Sequence, residues 1–226
     1  MSAAVEVRGL AKTFVLHNQG GAAIPVLEAA ELTVAPGECV ALAGASGSGK
    51  STLLRMLSGN YLGLSGSIRI MGTEIVGAPP RVLTALRRAT LGHVSQFLRV
   101  VPRVPARDVV AEPLLALGRD PGAARAAAEA MLERLHLPRR LWDLSPTTFS
   151  GGEQQRVNVA RGFVHPWPVL LLDEPTASLD PANRAVVLDL IAEAKARGAA
   201  MVGIFHDAEA RGAACDRVVD VAAFRP

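Results

Sequence analysis

The 226-residue sequence has few lysines, few aromatic residues and little excess charge. Its aromatic residues are six Phe, two Trp and one Tyr, and its formal net charge at pH 7 is +3. Because nucleic-acid-binding surfaces cluster basic residues, often with interleaved aromatics, no nucleic-acid partner is expected. Half of the residues are apolar, so the chain has enough material to bury one large core.

Cysteines and long apolar runs are also scarce. Cys39 and Cys215 form neither a metal-binding spacing nor a disulfide framework, and both are expected to be buried, reduced thiols in apolar, strand-like segments. No apolar run approaches the roughly 20 residues that a membrane-spanning helix needs, and the first residues lack the apolar region of a signal peptide. The sequence therefore predicts a cytoplasmic protein.

The most informative segment is residues 44–51, which follow an apolar run, Cys39 to Ala43, that predicts a buried strand. It matches the pattern G-x-x-x-x-G-K-[ST] of the phosphate-binding P-loop, and residues 52–57 predict the first turns of a helix. Strand, loop and helix in this order are the context that the motif requires. The predicted nucleotide-binding residues are Gly44, Ala45, Ser46, Gly47, Ser48, Gly49, Lys50, Ser51 and Thr52.

The residue types of this loop suit a phosphate ligand. Glycines let backbone N–H groups converge on phosphate oxygens, and the helix N-terminus adds unpaired N–H groups and the positive end of its dipole. Lys50 is expected to reach the β- and γ-phosphates of ATP, and the Ser51 hydroxyl to hold Mg²⁺. Since the chain has three lysines against 21 arginines, a lysine at this position suggests that a compact ammonium is required.

Strands and helices alternate on both sides of a helical middle segment. Apolar runs predict buried strands at 169–172 and 201–205, and looser alternation predicts strands within residues 5–34. Asp120-Pro121 and Asp180-Pro181 predict the starts of helices. The helix-rich segment 97–165 is predicted to be an insertion within one nucleotide-binding domain.

Two adjacent carboxylates follow the apolar run at 169–172. Asp173 is expected to help hold Mg²⁺, as the second acidic site of P-loop NTPases does. Glu174 is placed to polarise a water molecule for in-line attack on the γ-phosphate. The P-loop and the carboxylate pair together predict a Mg²⁺-dependent ATPase.

A further segment, Phe149 to Arg156, resembles the signature motif of the ATP-binding-cassette (ABC) ATPases. The resemblance extends from Val5 to Val221. It implies an α/β fold with a mainly parallel core sheet flanked by helices, an N-terminal antiparallel β subdomain and an inserted α-helical subdomain. It also implies one ABC domain over residues 1–226, with a RecA-like core at about 1–96 and 166–226 and a helical subdomain at about 97–165.

The resemblance assigns roles to residues outside the P-loop. Gln96 matches the Q-loop position and is expected to contribute to both Mg²⁺ binding and catalysis, and His206 matches the switch histidine. Phe14 is the candidate for stacking on adenine, with simple packing in its strand as the alternative. Residues 178–180 resemble the family's D-loop. The remaining predicted nucleotide contacts belong to the signature motif and this D-loop: Ser150, Gly151, Gly152, Glu153 and Asp180.

The mechanism that the family implies is a head-to-tail dimer that encloses two ATP molecules. Each site takes its P-loop from one subunit and its signature glycines, at the start of a helix, from the other. ATP holds such a dimer closed, and hydrolysis releases it. The second subunit is expected to be another copy of this chain or another ABC protein.

Segments between the motifs suggest what the ATPase acts on. Residues 94–104, 158–163 and 203–207, together with 17–21, resemble the PhnL-type proteins of the bacterial carbon–phosphorus lyase system. That resemblance implies an accessory subunit for soluble phosphonate-processing enzymes. The alternative is the motor of a membrane permease of the lipoprotein-release or macrolide-export type. A third possibility is a nucleotide-gated scaffold without useful turnover, against which the presence of Glu174 and His206 argues. The segment after Gln96, with Arg99, Arg103 and Arg107, is expected to face a soluble enzyme in the first case and a permease helix in the second. The alternative for these arginines is a solvated basic surface without a partner.

Overall fold

The structure is a computed structural model that describes residues 3–16, 20–61 and 65–225. Residues 17–19, which belong to one of the segments compared with PhnL-type proteins, lie outside the described residues. The strands along the chain are β1 (Val5–Leu16), β2 (Ala22–Val34), β3 (Cys39–Ala43), β4 (Ser65–Ile70), β5 (Thr73–Glu74), β6 (Leu91–Val94), β7 (Val169–Asp173), β8 (Ala200–Ile204) and β9 (Arg217–Asp220).

These strands form two sheets. An antiparallel sheet has the order β2-β1-β4-β5, and a parallel sheet has the order β6-β7-β8-β3-β9. Every residue of β7 and β8 is buried, as expected for apolar strands covered on both faces. The predicted fold class, a mainly parallel core sheet with an N-terminal antiparallel sheet and flanking helices, is confirmed.

The helices follow the predicted start signals where these exist. Asp120 accepts a hydrogen bond from Ala123 N at 2.9 Å, and Asp180 accepts one from Asn183 N at the same distance. In each case proline is the first helical residue, where its missing N–H costs nothing. The helices are α1 (Lys50–Leu57), α2 (Pro80–Ala89), α3 (Ala106–Ala116), α4 (Pro121–Arg134), α5 (Gly151–Phe163), α6 (Pro181–Ala196) and α7 (Ala208–Ala214).

Three helices have no counterpart among the predicted elements, and proline explains two of them. Pro80 starts α2, whose buried face is Leu83 and Leu86. Pro105 is the N-cap residue of α3 and Pro113 lies inside it, so prolines, which usually interrupt helices, here flank and occupy one. The short α7 ends at Cys215, which is therefore a helix C-cap and not part of a strand.

The hydrophobic core lies on both faces of the parallel sheet. Alternate residues of β3 point to opposite sides: Cys39 and Ala41 join a cluster with helices α3 to α6, and Val40 and Leu42 join a cluster with the antiparallel sheet and helices α1 and α2. The helix-rich middle segment thus packs against one face of the parallel sheet. The subdomain boundaries at 96/97 and 165/166 stay a prediction.

Among the described ranges, no helix combines the length and the apolar character that crossing a bilayer demands.

Candidate nucleotide site

The P-loop occupies residues 44–49, between the end of β3 and the start of α1. Gly44, Gly47 and Gly49 have φ angles of 132°, 77° and 102°, which residues with a side chain rarely adopt. A Cβ at Gly44 would lie 2.6 Å from Ser48 Oγ, and one at Gly49 would lie 3.1 Å from Leu27 Cδ2. The backbone conformation therefore favours glycine at both positions, and an added Cβ would displace the neighbouring side chain.

Polar groups of this loop converge on its concave side. Lys50 Nζ donates to the carbonyl oxygens of Gly44 at 2.7 Å and Ala45 at 2.9 Å, so the ammonium lies over the loop. Ser48 Oγ is buried and has no hydrogen-bond partner within the described part of the chain. A glycine cradle, an ammonium and the start of α1 match the needs of a triphosphate.

A cavity of about 360 Å³ extends from this loop to the ends of β7 and β8. Gln96, Glu174 and His206 reach it from three separate segments. They share the cavity wall with Val26 and Ile204, which the sequence did not single out, and with the P-loop residues Ser46, Gly47, Ser48, Gly49, Lys50, Ser51 and Thr52.

Glu174 is the centre of a cluster at the edge of this cavity. Its Oε1 lies 2.8 Å from His206 Nε2 and accepts a hydrogen bond from Gln96 Nε2 at 3.3 Å. The Glu174 side chain is only 18% exposed, whereas that of His206 is 72% exposed. The structure thus brings together the three residues that the sequence predicted to be catalytic.

The backbone of Glu174 is held in an uncommon conformation. Its φ angle is 55°, a left-handed value that costs a residue with a side chain roughly 1–2 kcal/mol. Its N–H donates to Ile204 O at 3.0 Å, and its carbonyl accepts from Gln155 Nε2 at 3.0 Å. Several bonds therefore fix the direction of the carboxylate.

Sequence reasoning missed Gln155 and Asn158, two buried residues whose hydrogen bonds connect helix α5 with the ends of β6 and β7. From helix α5, Gln155 Nε2 donates to the carbonyls of Glu174 and Pro175, the latter at 3.1 Å. Asn158 Nδ2 donates to Ser95 O, just before Gln96, and to Gln155 Oε1 at 3.3 Å. Two polar residues on the buried face of α5 were a signal that could have found this link.

Asp173 ends β7 and is 7% exposed. Its burial, and then the neighbouring carboxylate of Glu174, raise the pKa of Asp173 above the ordinary value, while Arg55 and His206 act in the opposite direction. A carboxylate that is unfavourable as a buried anion is a suitable partner for a cation. Asp173, Gln96 and Ser51 offer the oxygen donors that Mg²⁺ prefers.

The signature residues lie elsewhere. Ser150 caps α5 in a reciprocal arrangement with Glu153, whose carboxylate accepts from Ser150 N at 2.9 Å and Ser150 Oγ at 2.8 Å. These bonds lower the pKa of Glu153. A Cβ at Gly152 would lie 2.9 Å from Ser178 O, so the signature glycine allows close approach of the D-loop. Ser150, Gly151, Gly152, Glu153 and Asp180 are absent from the described lining of the P-loop cavity.

Phe14 is also separate from that lining. Its ring packs edge-to-face against Tyr61, with centroids 5.4 Å apart, and Lys12 Nζ lies 4.9 Å from the ring centroid. This packing corresponds to the alternative considered for Phe14, and its stacking on adenine stays a prediction.

Comparison with known proteins agrees with this geometry. The family model described as "ABC transporter" matches residues 27–177, which include the P-loop, the signature motif and the carboxylate pair. The chain belongs to the ABC transporter family. Like other ABC ATPases, it is an enzyme that uses ATP with Mg²⁺.

Curated relatives include two kinds of protein. A lipoprotein-releasing system ATP-binding protein LolD from Novosphingobium aromaticivorans is 44% identical over 82% of this chain and 81% of its own length. The macrolide export ATP-binding/permease protein MacB 1 from Aeromonas hydrophila subsp. hydrophila is 39% identical over 90% of this chain. The ABC chain spans only 31% of that MacB protein.

A solved structure shares the fold almost completely. The ATP-binding cassette MJ0796, in a dimeric post-hydrolysis state bound to ADP and Pi, superposes with a TM-score of 0.88 at 27% identity. The match covers 96% of this chain and 95% of that chain.

Proposed function

We propose that this ABC chain hydrolyses ATP at a site whose P-loop, Gln96, Glu174 and His206 come from one subunit. The observation that carries the proposal is the convergence of Glu174, Gln96 and His206 on the cavity of the P-loop. Glu174 accepts hydrogen bonds at Oε1, so its carboxylate is oriented toward the cavity and can take a proton from an attacking water. Bound Mg²⁺ would neutralise phosphate charge, with Ser51, Gln96 and Asp173 as its protein ligands.

The signature motif supports a dimeric mechanism. Ser150 and Gly151 are exposed at the start of α5, away from the P-loop cavity of the same chain. A second subunit in head-to-tail orientation would present this helix end to the γ-phosphate. The dimeric state of MJ0796 supports dimerisation. The second subunit is a copy of this chain or another ABC protein.

The partner that the relatives favour is a membrane permease. LolD is an ATP-binding protein of a lipoprotein-releasing system, and MacB joins an ATP-binding part to a permease in one protein. In this proposal the closing dimer drives a permease of the lipoprotein-release or macrolide-export type.

A second candidate is an accessory ATPase of the carbon–phosphorus lyase system, acting on soluble phosphonate-processing enzymes. The observation that favours it is the sequence of the segment after Gln96, which resembles PhnL-type proteins, together with Phe205 before the switch histidine. None of the relatives compared above carries such a name, so this candidate depends on the segments alone.

The segment after Gln96 is the surface that the partner is expected to contact in either candidate function. Phe97 and Val101 are 72% and 70% exposed, although both are apolar. Phe97 and Arg99 line a cavity of about 400 Å³ that also contains Asp173 and Gln96, so a partner bound here would touch the hydrolytic site. Such a surface would suit a partner segment that inserts an apolar side chain between the arginines lining this cavity.

The test is affinity purification of the tagged chain from its native host, with and without detergent, followed by mass spectrometry. Recovery of a permease only after solubilisation would support the transporter proposal, and recovery of soluble phosphonate-processing enzymes would support the second candidate. Phe97→Asp should abolish either capture. Met71→Asp, at a 50% exposed apolar residue that follows β4, is the matched control and should capture normally.

A further inference from the structure

Two cysteines far apart in the sequence meet at the end of the parallel sheet opposite the P-loop. Cys39 begins β3 and Cys215 precedes β9, and their Sγ atoms lie 3.4 Å apart. Asp216 N donates to Cys39 O, and Cys39 N donates to Asp216 Oδ2, each at 2.8 Å. A disulfide needs a sulfur–sulfur distance of about 2.05 Å, so a shift of about 1.3 Å would close the bond.

The two thiols have different surroundings. Cys39 is completely buried, whereas Cys215 is partly exposed. The charged groups that face Cys215 are Lys195, Asp216 and Arg211. Lys195 Nζ donates to Ala214 O at 3.4 Å and to Asp216 Oδ1 at 2.6 Å, which places an ammonium next to the Cys215 backbone.

These surroundings make the thiols unequal as nucleophiles. The hydrogen bond with Cys39, and then the charges of Lys195 and Arg211, hold the pKa of Cys215 below the usual value of a thiol, against the effects of burial and of Asp216. The same hydrogen bond and burial raise the pKa of Cys39. A partly exposed thiol of low pKa beside a second thiol is the usual arrangement of a redox-sensitive pair.

We propose that Cys215 and Cys39 form a peroxide-sensitive pair, in which Cys215 reacts first and Cys39 captures the product as a disulfide. This inference is independent of the proposed ATPase partner. The substrate class is a small peroxide that can reach the exposed side of Cys215.

The reaction balances with hydrogen peroxide as the oxidant. The Cys215 thiolate attacks one peroxide oxygen, the O–O bond breaks, and the departing hydroxide takes a proton to become water. Cys39 sulfur then attacks the sulfur of the Cys215 sulfenic acid, the S–O bond breaks, and the second hydroxide leaves as water with the Cys39 proton. Two thiols lose two electrons, and one peroxide becomes two waters. A thiol reductant reverses the step by exchange.

The cross-link would join two strands that lead toward the nucleotide site. Residues 39 and 215 are 176 positions apart, so the disulfide closes most of the chain into one loop and restricts the unfolded state. Strand β3 ends at Ala43, just before Gly44, and β9 ends at Asp220, whose Oδ1 would lie 3.2 Å from a Cβ on Gly44. Because the disulfide restricts the unfolded state, oxidation should raise the thermal unfolding temperature of the native chain.

The experiment uses the folded full-length protein, reduced, desalted and then treated with hydrogen peroxide. Free thiols counted after unfolding should fall from two to none, the mass should fall by two hydrogens, and a non-reduced digest should contain one peptide pair joined through Cys39 and Cys215. The unfolding temperature should rise and should return to its starting value with dithiothreitol. In Cys39→Ala, dimedone should label Cys215. Lys195→Gln should slow the reaction severalfold, and Lys195→Arg should slow it less.

Three results would overturn the proposal. They are two unreacted thiols after peroxide treatment of the folded chain, a Cys215 sulfinic acid beside an intact Cys39 thiol, and disulfides that join separate chains on non-reducing electrophoresis. The peptide map of the unsubstituted protein decides among them even if Cys39→Ala does not fold.

Discussion

The P-loop face and the signature face of this molecule are organised differently. At the P-loop face, Lys50, Gln96, Glu174 and His206 already lie around one cavity. At the signature face, Ser150 and Glu153 are bonded to each other and are not among the described residues that line that cavity. One face gathers the residues that are predicted to be catalytic, while the other presents a capped helix end. In the proposed closed dimer the two faces would meet, so variants of each face should fail at different steps.

Lys50→Ala should have the largest effect, because it removes the ammonium that lies over the P-loop. We expect ATP affinity to fall at least about 100-fold and turnover to reach background, since charge-assisted bonds to phosphate are among the strongest. Equilibrium binding of a fluorescent ATP analogue measures this. Arg69→Ala, on the antiparallel sheet, is the control. ATP affinity close to that of the unsubstituted chain would remove Lys50 from the site.

Glu174→Gln should break the catalytic step of the same face while leaving its binding step. The amide cannot take a proton from water, so kcat should fall about 10²- to 10⁴-fold. ATP should still bind, and the dimer should accumulate on size-exclusion chromatography with MgATP. The control is Glu209→Gln, at an exposed position in the first turn of α7. Unchanged turnover in Glu174→Gln would exclude Glu174 as the base.

Ser150→Arg tests the opposite face. A large cation at the exposed start of α5 should obstruct the approach of a second subunit and remove the Ser150–Glu153 cap. We expect ATP-dependent dimerisation and hydrolysis to be lost, while ATP binding to the monomer stays within about threefold of normal because the P-loop is untouched. Normal dimerisation of this variant by light scattering would contradict the head-to-tail arrangement.

Sequence reasoning succeeded where the physical cause is local. The P-loop, the apolar strand before Asp173 and the caps at Asp120 and Asp180 depend on residues next to each other, and all appear where they were expected. Helices α2 and α3 were missed because Pro80, Pro105 and Pro113 resemble breaks when neighbouring contacts are unknown.

The unpredicted parts of the site depend on contacts between distant segments. Asn158 and Ser95 are 63 positions apart, and Cys39 and Cys215 are 176 apart. The apolar run that begins at Cys39 predicts a buried strand, but the sequence cannot show which groups Cys39 and Asn158 meet. The partner that binds the segment after Gln96 is harder still to predict from this sequence, because it belongs to another molecule.

Gln155→Glu tests whether the two faces communicate within one chain. The substituted carboxylate cannot donate to the carbonyls of Glu174 and Pro175, so the left-handed conformation of Glu174 should lose support. We expect kcat to fall about tenfold, equivalent to about 1.4 kcal/mol, with KM for ATP unchanged. Steady-state kinetics measure both.

Two companion variants make this result specific. Asn158→Asp should reduce kcat in the same direction, because it loses the bond to Ser95 O. Gln154→Glu, the same change one position away, should reduce kcat less, because the Gln154 amide bonds Phe149 O and not the β7 end. In a Glu174→Gln background, Gln155→Glu should add nothing, since its effect acts through Glu174. If Gln155→Glu lowered kcat about tenfold in the Glu174→Gln background as well, Gln155 would have a purely structural role.

His93→Gln should have the smallest effect at neutral pH, and the quantity it changes is the free energy of unfolding. His93 lies in the cleft between the parallel sheet and α5, where it faces Arg161. Burial, and then the charge of Arg161, lower the pKa of His93 to about 4. An unfolded histidine titrates near 6.5, so between about pH 6.5 and 4 the unfolded state binds more protons than the folded state. The free energy of unfolding should therefore fall as pH drops through this window and be unaffected by His93 above it.

His93→Gln should flatten this part of the curve by up to about 3 kcal/mol, measured by urea unfolding at pH 7 and pH 4.5. If His93→Gln lost as much stability on acidification as the unsubstituted chain, the acid sensitivity would arise elsewhere, and the cleft would tolerate a protonated imidazole beside Arg161.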